Sequence, residues 1–500
     1  MKADVVVIGT GISGLTAGAL MAKKGYRVLL LEQQRRPGGA LKRFYRRGIP
    51  FDVGFHYTGC LGAGQVLRAL WDYLEIWPRL TVRSFPPEGS DLLHFEESST
   101  RVKAYFSYPR LQDELCRVFP DEQEGVAEYL RTIRSVCARI PFYNLDLPLT
   151  PFLREPFGPA RRVLAETIAS CTQDPELQAV FASPAFLYGV RPQHASLAVH
   201  AMVAHAYYSG ACAVDGGGEA ILQAFLSALR AAGAEVRTGQ KVDSIHVESG
   251  QVAGVRPPGG TIHASRVIYT GHPTHLPDLV PEGALRPAYC HRLRALQNTD
   301  SAFIIFGELQ DRAAGRGLAW NNYYRLPPGI DPFQISPQAP EDSALLLTAP
   351  GARDQHSALS DSGRGIILMR PATWEECASF AAAQPGTRTQ AYRRWKEGAT
   401  EKLLRKASAM WGEDGRLTPL AVGTPLTFED ELHIPRGGIY GVQHRLDQYP
   451  PGARTRLPGL WLSGQGTLMT GVVGASLAGL VTVGEMEGLE SLWEEVRQCR

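Results

Sequence analysis

No two cysteines in this 500-residue chain stand in a CxxC spacing, and the eight present are far apart and irregular. That absence excludes a zinc ribbon and a dense disulfide framework, and it fits reduced thiols in a cytoplasmic protein. An excess of charge of one sign is also missing: 52 Lys and Arg against 50 Asp and Glu leave a formal charge of +2. Such a balance gives no footprint for a nucleic-acid partner. The basic residues cluster locally instead, at Arg35-Arg36, Lys42-Arg43, Arg46-Arg47 and Arg161-Arg162. These are solvated faces in the plain reading and contacts for anionic headgroups in the sharper one. There is no internal repeat and no low-complexity tract. A membrane-spanning run is lacking too, because the longest uncharged stretch, 457–484, carries seven glycines. What the chain has is 44% hydrophobic residues, enough to bury the cores of two or three domains.

The strongest signal lies at the start. A continuous apolar run, Val5-Val6-Val7-Ile8, passes directly into Gly9-Thr10-Gly11-Ile12-Ser13-Gly14, with an amphipathic stretch behind it. Strand, GxGxxG turn and helix in that order predict a dinucleotide-binding site. Gly9 serves the tight turn, Gly11 the close approach of backbone to pyrophosphate, and Gly14 the packing of helix on strand. The helix N-terminus, at Ile12 and Ser13, offers N–H groups and a positive dipole end to the phosphates. A second apolar run ends in Glu32 and Gln33, where a carboxylate accepts hydrogen bonds from ribose hydroxyls and repels a 2′-phosphate. A secretory leader is not expected, although Lys2 precedes the apolar run, since cleavage there would remove the glycine turn.

The residues that follow separate the two dinucleotides. Pro37-Gly38-Gly39-Ala40-Leu41 and then Phe51-Asp52-Val53-Gly54-Phe55-His56-Tyr57 resemble the continuation of the phosphate and flavin contacts in flavoproteins with two dinucleotide-binding domains. At the other end, Leu460-Trp461-Leu462-Ser463-Gly464-Gln465-Gly466 reads as a strand into a turn, followed by an uncharged helix from Thr470 to Gly484. In similar flavoproteins such a helix, here through Gly471, Val472 and Val473, points its N–H groups at the flavin N1 and C2 carbonyl. The resemblance therefore implies FAD. Gln465 stands where many related flavoproteins have an acid on the ribityl chain, and an amide serves there as well.

Between these ends, Asp215-Gly216-Gly217-Gly218 opens a helix over 220–232. Short strands are predicted at 235–237, 241–248, 252–256 and 262–269, the later ones as a hairpin or meander. In resembling proteins the backbone near Val242 meets the adenine. The expected fold is α/β, a two-dinucleotide-binding-domain flavoprotein. Its Rossmann-like FAD domain is discontinuous over 1–100, 211–285 and 415–500, and an inserted α+β substrate domain spans 101–210 and 286–414. In the inserts, helical periodicity covers 109–139 and 389–406, whereas 328–361 looks like loops. The segment Ile140 to Phe157, rich in proline and aromatics, is either a packed connector or an apolar lip resting on a membrane. Location is accordingly expected in the cytoplasm, with a peripheral place on the inner face of the membrane as the sharper form.

Across nearly its whole length the chain resembles the carotenoid-desaturase-like flavoproteins, which include phytoene desaturases, carotenoid isomerases and retinol saturases. The retinol saturase branch is matched best by Phe51 to Tyr57, Ser196 to Gly218, Gly423-Thr424-Pro425-Leu426-Thr427 and Pro435 to Gly441, together with the Ser463-Gly464-Gln465 turn. The resemblance implies an FAD-dependent oxidoreductase acting on carbon–carbon bonds of an apolar isoprenoid or polyene. Reduction by hydride transfer at N5 is the leading expectation, with desaturation or cis–trans isomerisation as the alternative. A non-catalytic prenyl-lipid escort of the same fold is the alternative of another class, and the intact glycine turns speak against it. No electron partner is indicated, and no amine-binding aromatic cage is evident.

The uncharged helix over 198–213 carries His200, His205, Tyr207 and Tyr208. It is expected to line a cavity, with His200, His205 and Tyr208 as substrate contacts. The two histidines, at i and i+5, do not share a helical face, so no metal is expected. His56 and Tyr57 are the candidates for handling a proton beside the flavin, His56 because its ordinary pKa is about 6.5. Glu431, with Asp430, is the rival acid.

Overall fold

The computed structural model describes residues 2–155, 160–310, 318–329, 331, 343–354, 364–382, 387–408 and 417–500. Its first layer is a five-stranded parallel sheet in the order Leu460–Leu462, Arg266–Tyr269, Val5–Ile8, Val28–Leu31, Glu235–Arg237. Both central strands are almost wholly apolar because a parallel sheet is covered on two faces. Helix Ile12–Lys23 covers one face and packs against the C-terminal helix Gly471–Glu487. Small residues permit that approach: a Cβ on Gly479 would lie 2.9 Å from the Ser13 carbonyl oxygen and 3.0 Å from Thr16 Cβ. The first and last segments of the chain thus share one core.

A three-stranded antiparallel sheet, Ser244–Glu248, Gln251–Arg256 and Ile262–His263, packs beside it. Only the first part of the expected 262–269 strand joins that meander. Arg266–Tyr269 crosses into the parallel sheet as the neighbour of Val5–Ile8. Its run Val267-Ile268-Tyr269 is buried throughout, which the alternation reading did not separate from a half-buried strand.

The second large layer is a seven-stranded mixed sheet: Leu417–Gly423, Ser301–Leu309, Gly365–Ala372, Leu345–Thr348, Asn321–Leu326, Ser90–Phe95, Arg101–Tyr105. Ser90–Phe95 runs parallel to Asn321–Leu326, with Asp91 opposite Asn322 and Leu93 opposite Tyr324. Residues from 90 onward, and 417–423, therefore hydrogen-bond with the inserts and not with the parallel sheet, which shifts the expected boundaries at 100 and 415. The expected loop region 328–361 contains strand Leu345–Thr348 and a 3₁₀ turn at Pro350–Arg353. Much of the rest of that region lies outside the described residues.

A helical layer, chiefly Tyr108–Val118, Gln123–Cys137, Leu164–Cys171 and Leu197–Tyr208, closes the other side. The expected helix over 109–139 is two helices, interrupted at Pro120, where the ring has no N–H to donate. In the proline-rich segment that follows, Phe142, Leu145 and Leu149 are buried. Phe142 meets the Trp493 ring edge-on at 6.1 Å, and Trp493 Nε1 donates to the Leu147 carbonyl. The described part of this segment is a packed connector, and Phe157 lies outside the described residues. No described helix is long and apolar enough to cross a membrane.

Candidate cofactor and substrate site

At the C-terminal ends of the parallel strands a cleft of about 490 Å³ opens over Gly9, Gly11, Glu32, Gln33, Gly39 and Val242, among others. This is where a doubly wound sheet binds its ligand. The glycines divide by what surrounds them. A Cβ on Gly14 would lie 2.2 Å from the Gly9 carbonyl oxygen, and one on Gly9, at φ +104°, would lie 2.4 Å from Thr270 Oγ1. A Cβ on Gly11 meets nothing within 4 Å. Gly9 and Gly14 are thus required by the protein's own packing, and the free space at Gly11 is of the kind a pyrophosphate needs. Ser13 Oγ, at the start of the helix, is 2.7 Å from Ser463 Oγ of the C-terminal turn.

Glu32 is buried and already engaged: its Oε2 accepts from Thr10 N at 3.1 Å and Thr10 Oγ1 at 2.6 Å, and its Oε1 from Gln34 N at 2.9 Å. Thr10 Oγ1 in turn accepts from Gly38 N at 3.1 Å. The carboxylate thereby joins the glycine turn to the Gly38-Gly39 turn, while Oε1 keeps a lone pair for a ribose hydroxyl. Gly38 and Gly39 adopt φ +110° and +55°, and a Cβ on Gly39 would press on Gly11 Cα at 3.3 Å. Leu41 is buried beneath them, whereas Ala40 and Gly54 are exposed and face each other, with a Cβ on Gly54 falling 3.1 Å from that of Ala40.

The C-terminal turn meets the first helix through the Ser13–Ser463 contact. Gly464 sits at φ +123°, and Gly471, at φ +76° and exposed, opens the helix that also carries the half-buried Val472 and Val473. Gln465 is fixed from behind, because His444 Nε2 donates to its carbonyl at 2.8 Å. Burial lowers the His444 pKa to about 4, so the imidazole is neutral.

A buried ion cluster underlies the hairpin Arg43–Arg46 and Ile49–Asp52. Arg43 grips both oxygens of Asp52, at 3.0 and 2.7 Å, and reaches Asp354 at 2.6 Å. Asp52 Oδ1 accepts from Gly218 N and Asp354 Oδ1 from Gly216 N. Gly217 has to be glycine here, since a Cβ would fall 2.3 Å from both Arg43 Nη2 and Asp52 Oδ1.

The hairpin delivers His56 and Tyr57. His56 Nε2 is buried with no hydrogen-bond partner, and its carbonyl accepts from Arg353 Nη1 at 2.9 Å. Burial first, and the Arg353 cation second, lower its pKa to about 4. The expectation that His56 titrates near 6.5 is therefore corrected: it is neutral at pH 7 and holds no acidic proton to give. Tyr57 sits among Phe85, Phe106 and Tyr207, with ring centroids 5.1 to 5.6 Å away. Its hydroxyl is 3.5 Å from Asp91 Oδ1.

A small apolar pocket of about 80 Å³ lies along the seven-stranded sheet, lined by Phe186, Leu187, Tyr324, Met369, Ile439 and Tyr440 among others. The expected substrate contacts lie elsewhere. His200 is 0% exposed and held between two phenols, Tyr129 at 2.8 Å and Tyr188 at 3.0 Å. Tyr129 donates to the Phe181 carbonyl, so His200 Nε2 carries the hydrogen and Nδ1 accepts from Tyr188. His205 bonds Tyr108, and Tyr208 packs edge-on against Tyr108, both inside the helical layer. Tyr207, their neighbour, is the residue of that helix that reaches the Tyr57 group.

Glu431 is displaced as well. It is exposed on helix Pro425–Leu432 and lines the dinucleotide cleft beside Gln34 and His433, at the Glu32 end. Asp430 is paired with Arg388 at 2.6 Å. Neither is placed to give a proton near Tyr57. The residues that sequence reasoning missed are Asp91, Asn322, Tyr324 and Arg353. One signal was available: Asp91 is a charge directly before the apolar pair Leu92-Leu93, on a strand whose partner was not legible.

Known proteins are similar to this chain in sequence and in fold. The all-trans-retinol 13,14-reductase of Danio rerio is 27% identical over 537 residues, spanning 97% of this chain and 85% of the relative. The lycopene-forming phytoene desaturase of Pantoea ananas is 23% identical, spanning 94% of this chain and 97% of its own. Among solved structures, an oxidoreductase from Methanosarcina mazei superposes with a TM-score of 0.64 at 18% identity, over 97% of this chain and all of that one. Residues 12–370 match the model of the flavin containing amine oxidoreductases, and with the FAD-type cleft described above the chain belongs to that family.

Proposed function

We propose that this protein is an FAD-dependent oxidoreductase acting on a carbon–carbon bond of an apolar polyene of the retinoid or carotenoid class, by reduction of a double bond. The observation that carries the reading is the apolar pocket on the seven-stranded sheet, lined by rings and aliphatic side chains, Tyr324 among them. Such a lining favours an apolar chain over a polar substrate, through dispersion and burial of apolar surface. When bound, FAD supplies the hydride through N5. The residues around it bind and exclude water: the two glycine turns and the Glu32–Thr10 bond set the cleft, and the Gln465 turn closes it.

An amine substrate is disfavoured by a particular contact. The aromatic group that would receive a cation is occupied by the chain's own Arg353, whose guanidinium lies 4.8 Å from the Phe85 centroid and 5.5 Å from that of Tyr57. A second positive charge there is repelled. Membrane contact is assigned to the hairpin tip, where Tyr45, 53% exposed, is followed by Arg46 and Arg47. Flotation with anionic vesicles that is lost in Tyr45→Ser and Arg46→Glu tests that assignment.

The test of function is anaerobic. Chemically reduced holoenzyme is mixed with retinol, phytoene or lycopene, and the return of the flavin absorbance is followed with product analysis. Reoxidation by a polyene with a product two hydrogens heavier is the expected outcome. Reoxidation by quinone or oxygen alone, with polyene dehydrogenated, assigns desaturation instead.

A further inference from the structure

We propose that Tyr57 delivers, and Asp91 resupplies, the proton added to the substrate carbon, an inference that rests on the function proposed above. Reduction of a double bond requires a proton as well as a hydride, and the sequence-predicted donors are excluded by geometry or ionisation: His56 is neutral, and Glu431 stands at the other end of the cleft.

Asp91 stands near the start of the strand next to the edge of the second sheet, half-buried and in register with Asn322, whose Nδ2 donates to its Oδ1 at 2.7 Å. The Asn322 amide is oriented without ambiguity, because its Oδ1 accepts from Thr348 Oγ1 at 2.7 Å and Arg353 Nη2 at 3.2 Å. The same Asp91 oxygen is 3.5 Å from the Tyr57 hydroxyl. That is the outer limit of a hydrogen bond, and contacts of this kind shorten in the substrate complex. Tyr324, two residues beyond Asn322 and so on the same face of its strand, lines the apolar cavity. Asp91 and the pocket wall therefore share one sheet face, and Tyr57 reaches that face from the hairpin.

Burial pushes the Asp91 carboxyl up to about 7, against the opposing pull of Asn322, Arg353 and Tyr57. The other titratable groups that act on it are Tyr57, Tyr207, Tyr208, Tyr324 and Arg353. Burial raises all four tyrosines, and Arg353, lowered to about 10, stays cationic at pH 7. Asp91 is thus the group among them that changes charge near neutrality.

The balance closes. Reduced FAD, when bound, would supply a hydride, and with it both electrons, to one olefinic carbon. At the neighbouring carbon the π pair takes the Tyr57 proton, the O–H bond breaking as the C–H bond forms. The phenolate takes the Asp91 proton, and the carboxylate recovers one from solvent.

The experiment is the polyene reoxidation of reduced holoenzyme between pH 5.5 and 9, with wild type, Asp91→Asn and Tyr57→Phe. The wild-type rate is expected to fall as pH rises through about 7, because the acid form donates. Asp91→Asn should be slower by about 10²-fold and lose that titration, and Tyr57→Phe should be slower by about 10² to 10⁴-fold. FAD content and polyene affinity should stay unchanged in both. Variants that match the wild type overturn the proton assignment and leave the function standing, whereas a wild type that no polyene reoxidises overturns the function first. Independently of turnover, infrared difference spectra should show a carboxylic-acid band at pH 6 that vanishes in Asp91→Asn. Absence of that band in the wild type overturns the proposal.

Discussion

Gly11 and Gly14 are three residues apart, and their substitution should have opposite consequences. Gly11→Val adds a side chain where the protein itself has open space. It should yield a folded, colourless protein with a near-native melting temperature, checked by circular dichroism and flavin content. Gly14→Ala places a methyl 2.2 Å from a carbonyl oxygen and should lower stability by about 2 to 3 kcal/mol or more, with FAD lost as a secondary effect. The motif made both glycines legible, and the structure separates the one needed by the ligand from the one needed by the chain. His200 shows the opposite limit of sequence reading. An uncharged helix bearing histidine and tyrosine looks like a cavity wall, yet the partners that satisfy His200 come from helix Gln123–Cys137 and the turn at Tyr188, which no local pattern reveals. His200→Phe should destabilise the fold by about 2 to 4 kcal/mol in urea, since two buried phenols lose a partner, while leaving polyene affinity unchanged in the folded fraction.

Among the elements, helices marked by apolar spacing, or by an uncharged run after a glycine turn, were legible. Helices Gly217–Ala231 and Gln390–Ala407 lie where side-chain spacing places them, and Ile12–Lys23 and Gly471–Glu487, buried on nearly every side, where the glycine turns before them do. Elements defined by distant partners were not. Arg266–Tyr269 is buried by Val5–Ile8 from far along the chain, and Leu345–Thr348 by Asn321–Leu326 and Gly365–Ala372. A short apolar run does not say which sheet it will join. The contact between the N- and C-terminal helices is the element on which the cleft depends. Gly479→Leu has to displace Ser13 and Thr16, and it should cost about 3 kcal/mol and release FAD in proportion, as read by a joint thermal melt and flavin fluorescence. Unchanged flavin affinity in that variant would mean that the helix N-termini are not what positions the cofactor.

For the whole molecule, buried histidines set the response to acid. Burial is the first cause of lowered pKa values at His56, His205, His272 and His444, each to about 4, and at His200, to about 3. Unfolded, each takes a proton near 6.5, so between that pH and the folded value the unfolded state binds more protons. Stability is therefore full above about pH 6.5 and falls as pH is lowered toward 4, by up to about 1.4 kcal/mol per pH unit for each such histidine. Urea midpoints measured from pH 7.5 to 5 check this, and a midpoint that holds steady over that range is the contrary result.

The Arg43, Asp52 and Asp354 cluster has a consequence for recombination between relatives. Its three ions come from the flavin-side hairpin and from the turn that leaves the second sheet, and Arg353, adjacent in that turn, holds the His56 carbonyl. A chimera that imports another relative's seven-stranded sheet without an acid at 354 strands a guanidinium in a dry place with half its counter-charge. The unit that can be exchanged among such flavoproteins is bounded by that salt cluster, so a new substrate cavity has to arrive together with the residues that fasten it to the cofactor.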